Sequence, residues 1–194
     1  MPFSSTRLSS LNQKELIQRA NTFDKEALAA IFDIFYEPIY QYIYRHARDD
    51  KAAEDLASEV FHQFLESLNM RHGPKKSLKA WLYRTAHNLI IEKAQPDKSY
   101  NFGLPGDEYE DDTEVVSQQA ENSIRNQALI QALRQLTDKQ QEVIYLRFFQ
   151  GLRLEEVAYA LNMTLGTVKS LQHRGLQSMR RYLQDFDEYD GKDL

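Results

Sequence analysis

The C-terminal part of the chain contains a run of residues suited to binding phosphate. Between positions 164 and 184 there is no acidic residue, and the basic side chains are Lys169, His173, Arg174, Arg180 and Arg181. If this segment is a helix, phosphates would attract it, and Thr167, Lys169 and Ser170 near its N-terminus would face base edges in the major groove. The chemistry indicated is recognition of nucleic acid.

A second basic segment lies between residues 71 and 99, with seven cations and two acids. Its cations are Arg71, Lys75, Lys76, Lys79, Arg84, Lys93 and Lys98. Trp81 lies on an apolar stripe with Leu78 and Leu82, so we expect its ring in a core rather than stacked on a base. This segment is a second candidate for contact with phosphates.

The chain offers little for catalysis. It has no cysteine, which excludes thiol nucleophiles, disulfides and cysteine zinc sites and fits a reducing compartment. Its five histidines show no metal-ligand spacing with carboxylates, and no glycine-rich phosphate loop is present. We therefore predict that the protein is not an enzyme and needs no metal or cofactor.

The net charge of -5 conceals the basic segments. Divided along the chain, it is +1 for residues 1–99, -7 for 100–121, +5 for 122–184 and -4 for 185–194. The acidic total is a cancellation between basic modules and acidic connectors, so it does not argue against a nucleic-acid partner.

The elements that must position these residues are helices, because apolar residues recur at three- and four-residue steps with little β-branched alternation. No apolar stretch approaches the length of a membrane span and the N-terminus lacks a signal-peptide core, so we expect a soluble, internal protein. Asp24 should cap the first helix, and Pro38 should kink or break it. Thr137-Asp138-Lys139-Gln140 matches a capping box, and the helix that it opens should end at Gly151. The expected helices span about 24–45, 53–68, 77–93, 124–136, 137–151, 153–162 and 166–183.

Composition changes between residues 97 and 122, where acids, glycines and a proline gather and no cation follows Lys98. We interpret 97–122 as an acidic linker between a helical domain at 1–96 and a four-helix domain at 123–184. The last residues, 185–194, read as a short, frayed, acidic tail. The predicted fold is all-α, with two small domains.

The last two expected helices are separated by only three residues, which is typical of a helix-turn-helix. Asn162 lies where the chain must enter a left-handed conformation, and Thr164 can cap the second helix. An ordinary helical hairpin is the alternative, which the absence of acids from 164–184 disfavours. Apolar side chains expected on the inner faces and in the turn are Val157, Ala158, Leu161, Met163, Val168 and Leu176.

Four features follow one another along the chain: AEDLASEVFHQFLESL, then WLYRTAHNLI, then the acidic linker, then LTDKQQEVIYLRFFQGLRLEEVAYALNMTLGTVKSLQHRGLQSMRRYL. Through these features the chain resembles, from about Asn12 to Leu183, the extracytoplasmic-function (ECF) group of sigma-70-family sigma factors, bacterial subunits that direct RNA polymerase to promoters. Both domains occur in the order of the family. The resemblance implies a region 2-like first domain and a region 4-like second domain.

The resemblance also implies roles for individual residues. Those expected to dock on the coiled coil of the largest polymerase subunit, unless they are only a solvated helix face, are Asp55, Glu59, Phe61 and Gln63. Those expected at the −10 element and the melted strand are Arg71, Lys75, Lys76, Lys79, Arg84, His87 and Asn88. Those expected at the −35 element are Arg153, Thr167, Lys169, Ser170, Gln172, His173 and Arg174. Whether Leu171 or Gln172 packs inward is open, since Leu171 could touch a thymine methyl group.

The partners implied are core RNA polymerase (through the coiled coil of its largest subunit and its flap region), promoter DNA and an anti-sigma factor. The location implied is the cytoplasm, where an anti-sigma factor could hold the protein at the membrane. The acidic linker resembles the segment that threads towards the RNA exit path, and a solvated spacer is its alternative. Two rival functions remain: a free-standing helix-turn-helix regulator, and an interaction protein that sequesters polymerase without reading DNA.

Overall fold

The computed structural model describes the backbone of residues 13–93 and 117–190 and the side chains of 14–93 and 126–184. Throughout these ranges the regular structure is helical and no strand occurs, which confirms the all-α prediction. The helices are α1 (Gln13–Ala20), α2 (Lys25–Ala47), α3 (Asp50–Asn69), α4 (Leu78–Lys93), α5 (Ser117–Arg134), α6 (Asp138–Ile144), α7 (Leu154–Ala160) and α8 (Leu165–Asp190), with a π-helical turn (Tyr145–Phe149) following α6.

The chain divides into two compact units. The first comprises Met1–Ser99 and Glu155–Met163, and the second comprises Tyr100–Leu154 and Thr164–Leu194. Most of the segment expected as an acidic linker lies outside the described residues, so that interpretation stays a prediction. Its end differs from expectation, because α5 already begins at Ser117.

The first unit is built on α2, α3 and α4, which pack against one another. Their apolar stripes meet in a core that includes the fully buried residues Ile31, Tyr42, Val60, Phe64 and Leu82. The first helix of this core has the expected cap, because the Asp24 carboxylate accepts hydrogen bonds from the backbone N–H groups of Glu26 and Ala27. Burial of these stripes is the main stabilising contribution to the unit.

Pro38 was predicted to kink or break its helix, and the break does not occur. A single helix of 23 residues, α2, runs through Pro38. Proline removes one backbone hydrogen bond from a helix, but here both halves of α2 contribute to one core, through Ile31 before the proline and Ile39 and Ile43 after it. Tertiary packing therefore keeps the helix continuous.

Helix α1 was not expected from the sequence. It packs on α2 and buries Leu16, Ile17 and Ala20. Arg19 forms an ion pair of 2.9 Å with Asp24, so the residue that caps α2 also ties α1 to it. A helix of eight residues gives only two turns of apolar periodicity, which is a weak signal beside the polar N-terminal residues.

In the second unit α5 and α6 pack against α8. Leu133, Leu136 and Ile144 form a buried cluster against which Met179 packs. The capping box is confirmed, because the Thr137 hydroxyl accepts from the N–H of Gln140 and the Gln140 side chain accepts from the N–H of Thr137.

The ends of α6 and α8 agree with the sequence predictions only in part. The π-helical turn after α6 was not expected, whereas Gly151 has the left-handed φ of 68° expected of a residue that follows a helix. The tail expected to fray is helical as far as Asp190, which extends α8 beyond the predicted end at Leu183.

Candidate nucleic-acid and polymerase interfaces

Helix α8 has a buried stripe on its inward side and an exposed polar face on its outward side. Val168, Leu171 and Gly175 are buried, at the three- and four-residue steps of one helix face. The exposed residues include five of the seven expected to read the −35 element: Thr167, Lys169, Ser170, His173 and Arg174. The fold therefore brings these side chains together on one surface.

The chain entering α8 is fixed by local hydrogen bonds. Asn162 has a φ of 52°, which confirms the predicted left-handed turn, and Asn tolerates this conformation better than most residues. The Thr164 hydroxyl accepts a hydrogen bond of 3.1 Å from the N–H of Thr167, which confirms the predicted cap. The hydroxyl groups of Thr164 and Thr167 are 2.8 Å apart, so Thr167 is held at the start of the outward face.

The open choice between Leu171 and Gln172 has an answer. Leu171 is 9% exposed and packs inward, while Gln172 is half-buried at the edge of the outward face. Leu176 was expected on the inner face but is 40% exposed, because Gly175 occupies the inward position beside it. Arg153 is exposed immediately before α7.

The loop between α3 and α4 presents three of the cations expected at the −10 element. Arg71, Lys75 and Lys76 are all exposed. The loop is anchored to the end of α3, where the N–H of His72 donates to the carbonyl of Ser67 at 2.8 Å. Gly73 lies so close to α3 that a Cβ atom there would come within 2.7 Å of Leu68 Cδ2. The loop is therefore held tightly at its middle while its charged side chains face outward.

Helix α4 contributes fewer outward residues than expected. Asn88 is exposed, while Lys79 and Arg84 are half-buried, and burial lowers the pKa of Lys79. Within the first unit the Arg84 guanidinium donates to the carbonyl of Tyr159 at 2.7 Å and lies 4.5 Å from the centre of its ring. Two of the seven residues expected at this element, Arg84 and Asn88, thus share one face of α4, four positions apart.

The expectation that His87 points to DNA is not met. His87 is 5% exposed, and its Nδ1 is 3.2 Å from the Tyr42 hydroxyl, inside the core between α2 and α4. The ring fills a position on the inward side of α4 and satisfies a buried hydroxyl group. It is not available to a base or a phosphate in this structure.

The face of α3 expected to dock on polymerase is acidic and only partly as predicted. Asp55 is exposed, and the half-buried Gln63 donates to the Glu59 carboxylate at 3.0 Å. Phe61 was expected to face polymerase but is 7% exposed, because its ring packs against Phe32 and Tyr36 of α2 at centroid distances of 5.0 and 5.9 Å. Phe61 therefore belongs to the contact between α2 and α3.

The sequence analysis did not predict several exposed apolar side chains. In the π-helical turn Phe148 and Phe149 are 53% and 49% exposed. Phe32 on α2 and Leu65 on α3 are 46% and 42% exposed. A signal was present for the pair at 148–149, because adjacent residues of a helix point about 100° apart and two neighbouring rings rarely both reach a core.

Two family models match this chain. Sigma-70 region 2 matches residues 31–95 and Sigma-70 region 4 matches residues 132–181. The chain is 33% identical over 187 residues to the ECF RNA polymerase sigma factor SigW of Bacillus subtilis, a match that covers 89% of this chain and 97% of the relative. The chain belongs to the ECF RNA polymerase sigma factors. The rival functions, a free-standing regulator and a polymerase-sequestering protein, are therefore not supported.

Another relative agrees with this family, and a solved structure has a similar fold. This ECF sigma factor is 31% identical over 179 residues to BldN of Streptomyces coelicolor, with 91% of this chain and 67% of the relative covered. The structure of CnrH in complex with the cytosolic domain of CnrY is similar at a TM-score of 0.60 and 17% identity, covering 89% of this chain and 97% of the other. The structural likeness supports the fold.

The described residues of this sigma factor show neither a metal-site arrangement nor a membrane-spanning helix. Where side chains are described, in 14–93 and 126–184, no cluster of three or more His, Asp or Glu side chains has the arrangement of a metal site. Over the same residues, no helix combines the length and the apolar character needed to cross a membrane.

Proposed function

We propose that this ECF sigma factor reads the −35 element with the outward face of α8 and the −10 element with the loop 71–76 and the outward edge of α4, while α3 docks on core polymerase. The observation that carries the proposal is the outward face of α8, on which Lys169, His173 and Arg174 are exposed together and no acid intervenes. Cations on one helix face favour phosphate contact.

At the −35 element, the N-terminal part of α8 lies in the major groove. Thr167, Lys169 and Ser170 contact base edges, and Arg174, one turn further along, contacts the phosphate backbone. Arg153 is a second phosphate contact. Leu171 is excluded from base contact because it packs inward.

At the −10 element, the exposed Arg71, Lys75 and Lys76 attract the backbone of the opened strand. Arg84 and Asn88 extend this surface along α4, and Lys79 adds a cation at its edge. Phosphate attraction of this kind does not select sequence by itself, so base preference comes from the polar groups among these residues.

Polymerase docking uses one acidic surface and one apolar surface. Asp55 and Glu59 form an acidic row, four positions apart on α3, which suits a basic coiled coil of the largest subunit. The exposed pair Phe148 and Phe149 suits an apolar groove of the flap region, because adjacent exposed rings mark interaction sites. Binding to polymerase would place both DNA-reading surfaces on one assembly, which raises the effective concentration of the second contact.

The same docking surfaces suit an inhibitory protein. We propose an anti-sigma partner that covers them, and the similar structure of CnrH, which contains the cytosolic domain of CnrY, is an example of a related fold bound to another protein. The working location is the cytoplasm, where polymerase and promoters are. We propose no enzymatic reaction for this chain.

The test of docking is a charge reversal. Asp55→Lys should abolish recovery of core polymerase in a pull-down, because it places a cation against a basic partner, while circular dichroism stays unchanged. Glu92→Lys makes the same charge change at an exposed position of α4 and should leave polymerase binding intact. Recovery of polymerase by the Asp55 variant at the wild-type level would contradict the docking assignment.

The function as a whole is tested by run-off transcription. Core polymerase supplied with the wild-type chain should initiate at specific sites in a genomic library and so report the −10 and −35 sequences. A gel shift with and without polymerase is the companion measurement. Tight promoter binding by the chain alone would favour a free-standing regulator.

A further inference from the structure

Gly166 lies in the first turn of α8 and is exposed at the surface. Its φ is outside the left-handed region, so the backbone would accept an alanine here. Beyond its chain neighbours and the backbone of its own helix, the described atom nearest to the position of an added Cβ is Thr164 Oγ1, at 3.9 Å. That is an ordinary contact, so a side chain would fit into the folded chain. The fold therefore does not account for glycine at this position.

The other glycines with described surroundings each have an explanation within the fold. Gly151 has a φ of 68°, a conformation that L side chains rarely adopt. At Gly73 an added Cβ would lie 2.7 Å from a side chain of α3. Gly175 is buried, and an added Cβ there would already touch Ile144 Cγ1 at 3.5 Å, which leaves room for little more than a methyl group. Gly166 differs from all three.

Glycine also weakens the helix in which it lies. It loses more conformational freedom on folding than any other residue, and alanine is the better helix former. The start of α8 is otherwise well supported, since the Thr164 hydroxyl accepts a hydrogen bond from the N–H of Thr167. A residue that costs stability without a local gain is expected at a functional position.

The place of Gly166 on α8 indicates what its missing side chain makes room for. Lys169, Ser170 and His173 follow it at steps of three, four and seven residues, so all four lie on one stripe of the helix. All four are exposed, whereas Val168 on the inward side is buried. In the proposed function this stripe faces promoter DNA. A side chain at position 166 would therefore project into the space between α8 and the DNA.

We propose that Gly166 is a positioning residue, whose missing side chain lets the sugar-phosphate backbone of the −35 element approach α8 more closely than any other residue would allow. The proposal rests on the proposed function. The backbone is favoured over a base edge because the exposed cations Lys169 and Arg174 lie on the same outward face, and contacts to phosphates fix how a helix sits on a duplex. Gly166 then sets the depth at which Thr167 and Ser170 meet the bases.

The first experiment compares stability with promoter binding in Gly166→Ala. Urea unfolding should show a higher midpoint than wild type, because alanine is the better helix former and has room in the fold. Gel shift of the holoenzyme on a promoter found by run-off transcription should show several-fold weaker binding, because the added methyl group holds the DNA backbone away. A merely structural role for Gly166 would move stability and binding in the same direction.

The matched control is Asn126→Ala, at an exposed position of α5 outside the outward face of α8. It also replaces a poorer helix former with alanine and should raise the unfolding midpoint. Promoter binding by its holoenzyme should equal wild type. The control thus separates a methyl group on the DNA-facing stripe from a general gain in helix stability.

The second experiment identifies the part of the DNA that approaches. Promoter duplexes are made with a single neutral methylphosphonate linkage at successive positions of the −35 element. One linkage should weaken binding of the wild-type holoenzyme and have a smaller effect on the Gly166→Ala holoenzyme, because the variant has already lost that contact. If every linkage affects both proteins equally, the backbone is not what approaches Gly166, and the proposal is wrong.

Three further outcomes would overturn the proposal. The first is promoter affinity of Gly166→Ala equal to wild type. The second is a lower unfolding midpoint for Gly166→Ala, which would mean that the fold itself requires the glycine. The third is equal weakening of promoter binding by Asn126→Ala.

A promoter whose −35 element is replaced by unrelated sequence separates failure of this inference from failure of the proposed function. If the replacement weakens wild-type binding but Gly166→Ala does not, the role of Gly166 falls and the reading of the −35 element stands. If the replacement leaves wild-type binding unchanged while Gly166→Ala weakens it, the reading of the −35 element falls and the contact at Gly166 stands.

Discussion

Helices α4 and α8 both carry residues expected to touch DNA, but they offer very different amounts of surface. In α8 the described inward positions, Val168, Leu171 and Gly175, leave the opposite face exposed. In α4, nine of 16 residues are buried, including the polar residues Thr85 and His87. Both helices pack against two others, but α4 buries more than half of its residues and α8 buries only one stripe. Only α8 therefore has a whole face free for a ligand.

The proposed recognition surface therefore differs between the two units. In the proposed function the second unit uses α8 itself, and helical periodicity decides which of its residues face the bases. The first unit uses the surroundings of α4, above all the loop 71–76.

The largest expected effect tests the division of α8 into a buried side and an exposed side. Leu171→Ala should lower the free energy of unfolding by about 2 to 5 kcal/mol, because it removes a buried side chain and leaves a cavity. Leu176→Ala, on the same helix at 40% exposure, should change it by much less. Urea unfolding measures both. Unchanged stability for Leu171→Ala, together with weaker promoter binding, would place Leu171 on the DNA side.

Much of this architecture follows from local rules. The caps at Asp24 and Thr137 and the left-handed positions at Asn162 and Gly151 were predicted correctly because each depends on a few neighbouring residues. The exposed residues of α8 were predicted for the same reason, since a single apolar stripe defines the opposite face. Caps, turns and helices with a single apolar stripe can therefore be predicted from the sequence.

The errors arise where packing in three dimensions decides. His87 and Phe61 were placed on surfaces because the family resemblance implied contacts there, but each fills a core position set by α2. Pro38 stays inside a helix because the core on both sides of it outweighs the lost hydrogen bond. A groove lined by α1 and by the loop 71–76 could not be predicted because its two walls are separated by about 50 residues of sequence.

A smaller effect tests whether polar residues of α4 are buried in the core. His87→Ala should lower the free energy of unfolding by about 1 to 3 kcal/mol, because it leaves the buried Tyr42 hydroxyl without this partner. Asn88→Ala, at the adjacent exposed position, should leave unfolding unchanged and weaken binding of the holoenzyme to a −10 element. Urea unfolding and promoter binding are measured on both variants. The reverse pattern, a stable His87 variant with impaired DNA binding, would show that His87 faces DNA.

The smallest expected effect distinguishes a local phosphate contact on α8 from attraction by the overall charge of the second unit. Arg174→Ala should weaken promoter binding by the holoenzyme roughly tenfold and lower its salt slope by about one unit, since it removes one cation from the outward face of α8. Lys139→Ala removes an exposed cation from α6 and should leave the slope as in wild type. Binding is followed by gel shift over a salt series. If both variants lower the slope equally, the second unit attracts DNA through its overall charge. If only Arg174→Ala lowers it, the attraction is local to the outward face of α8. That face is free of packing, and α4 has no comparable free face.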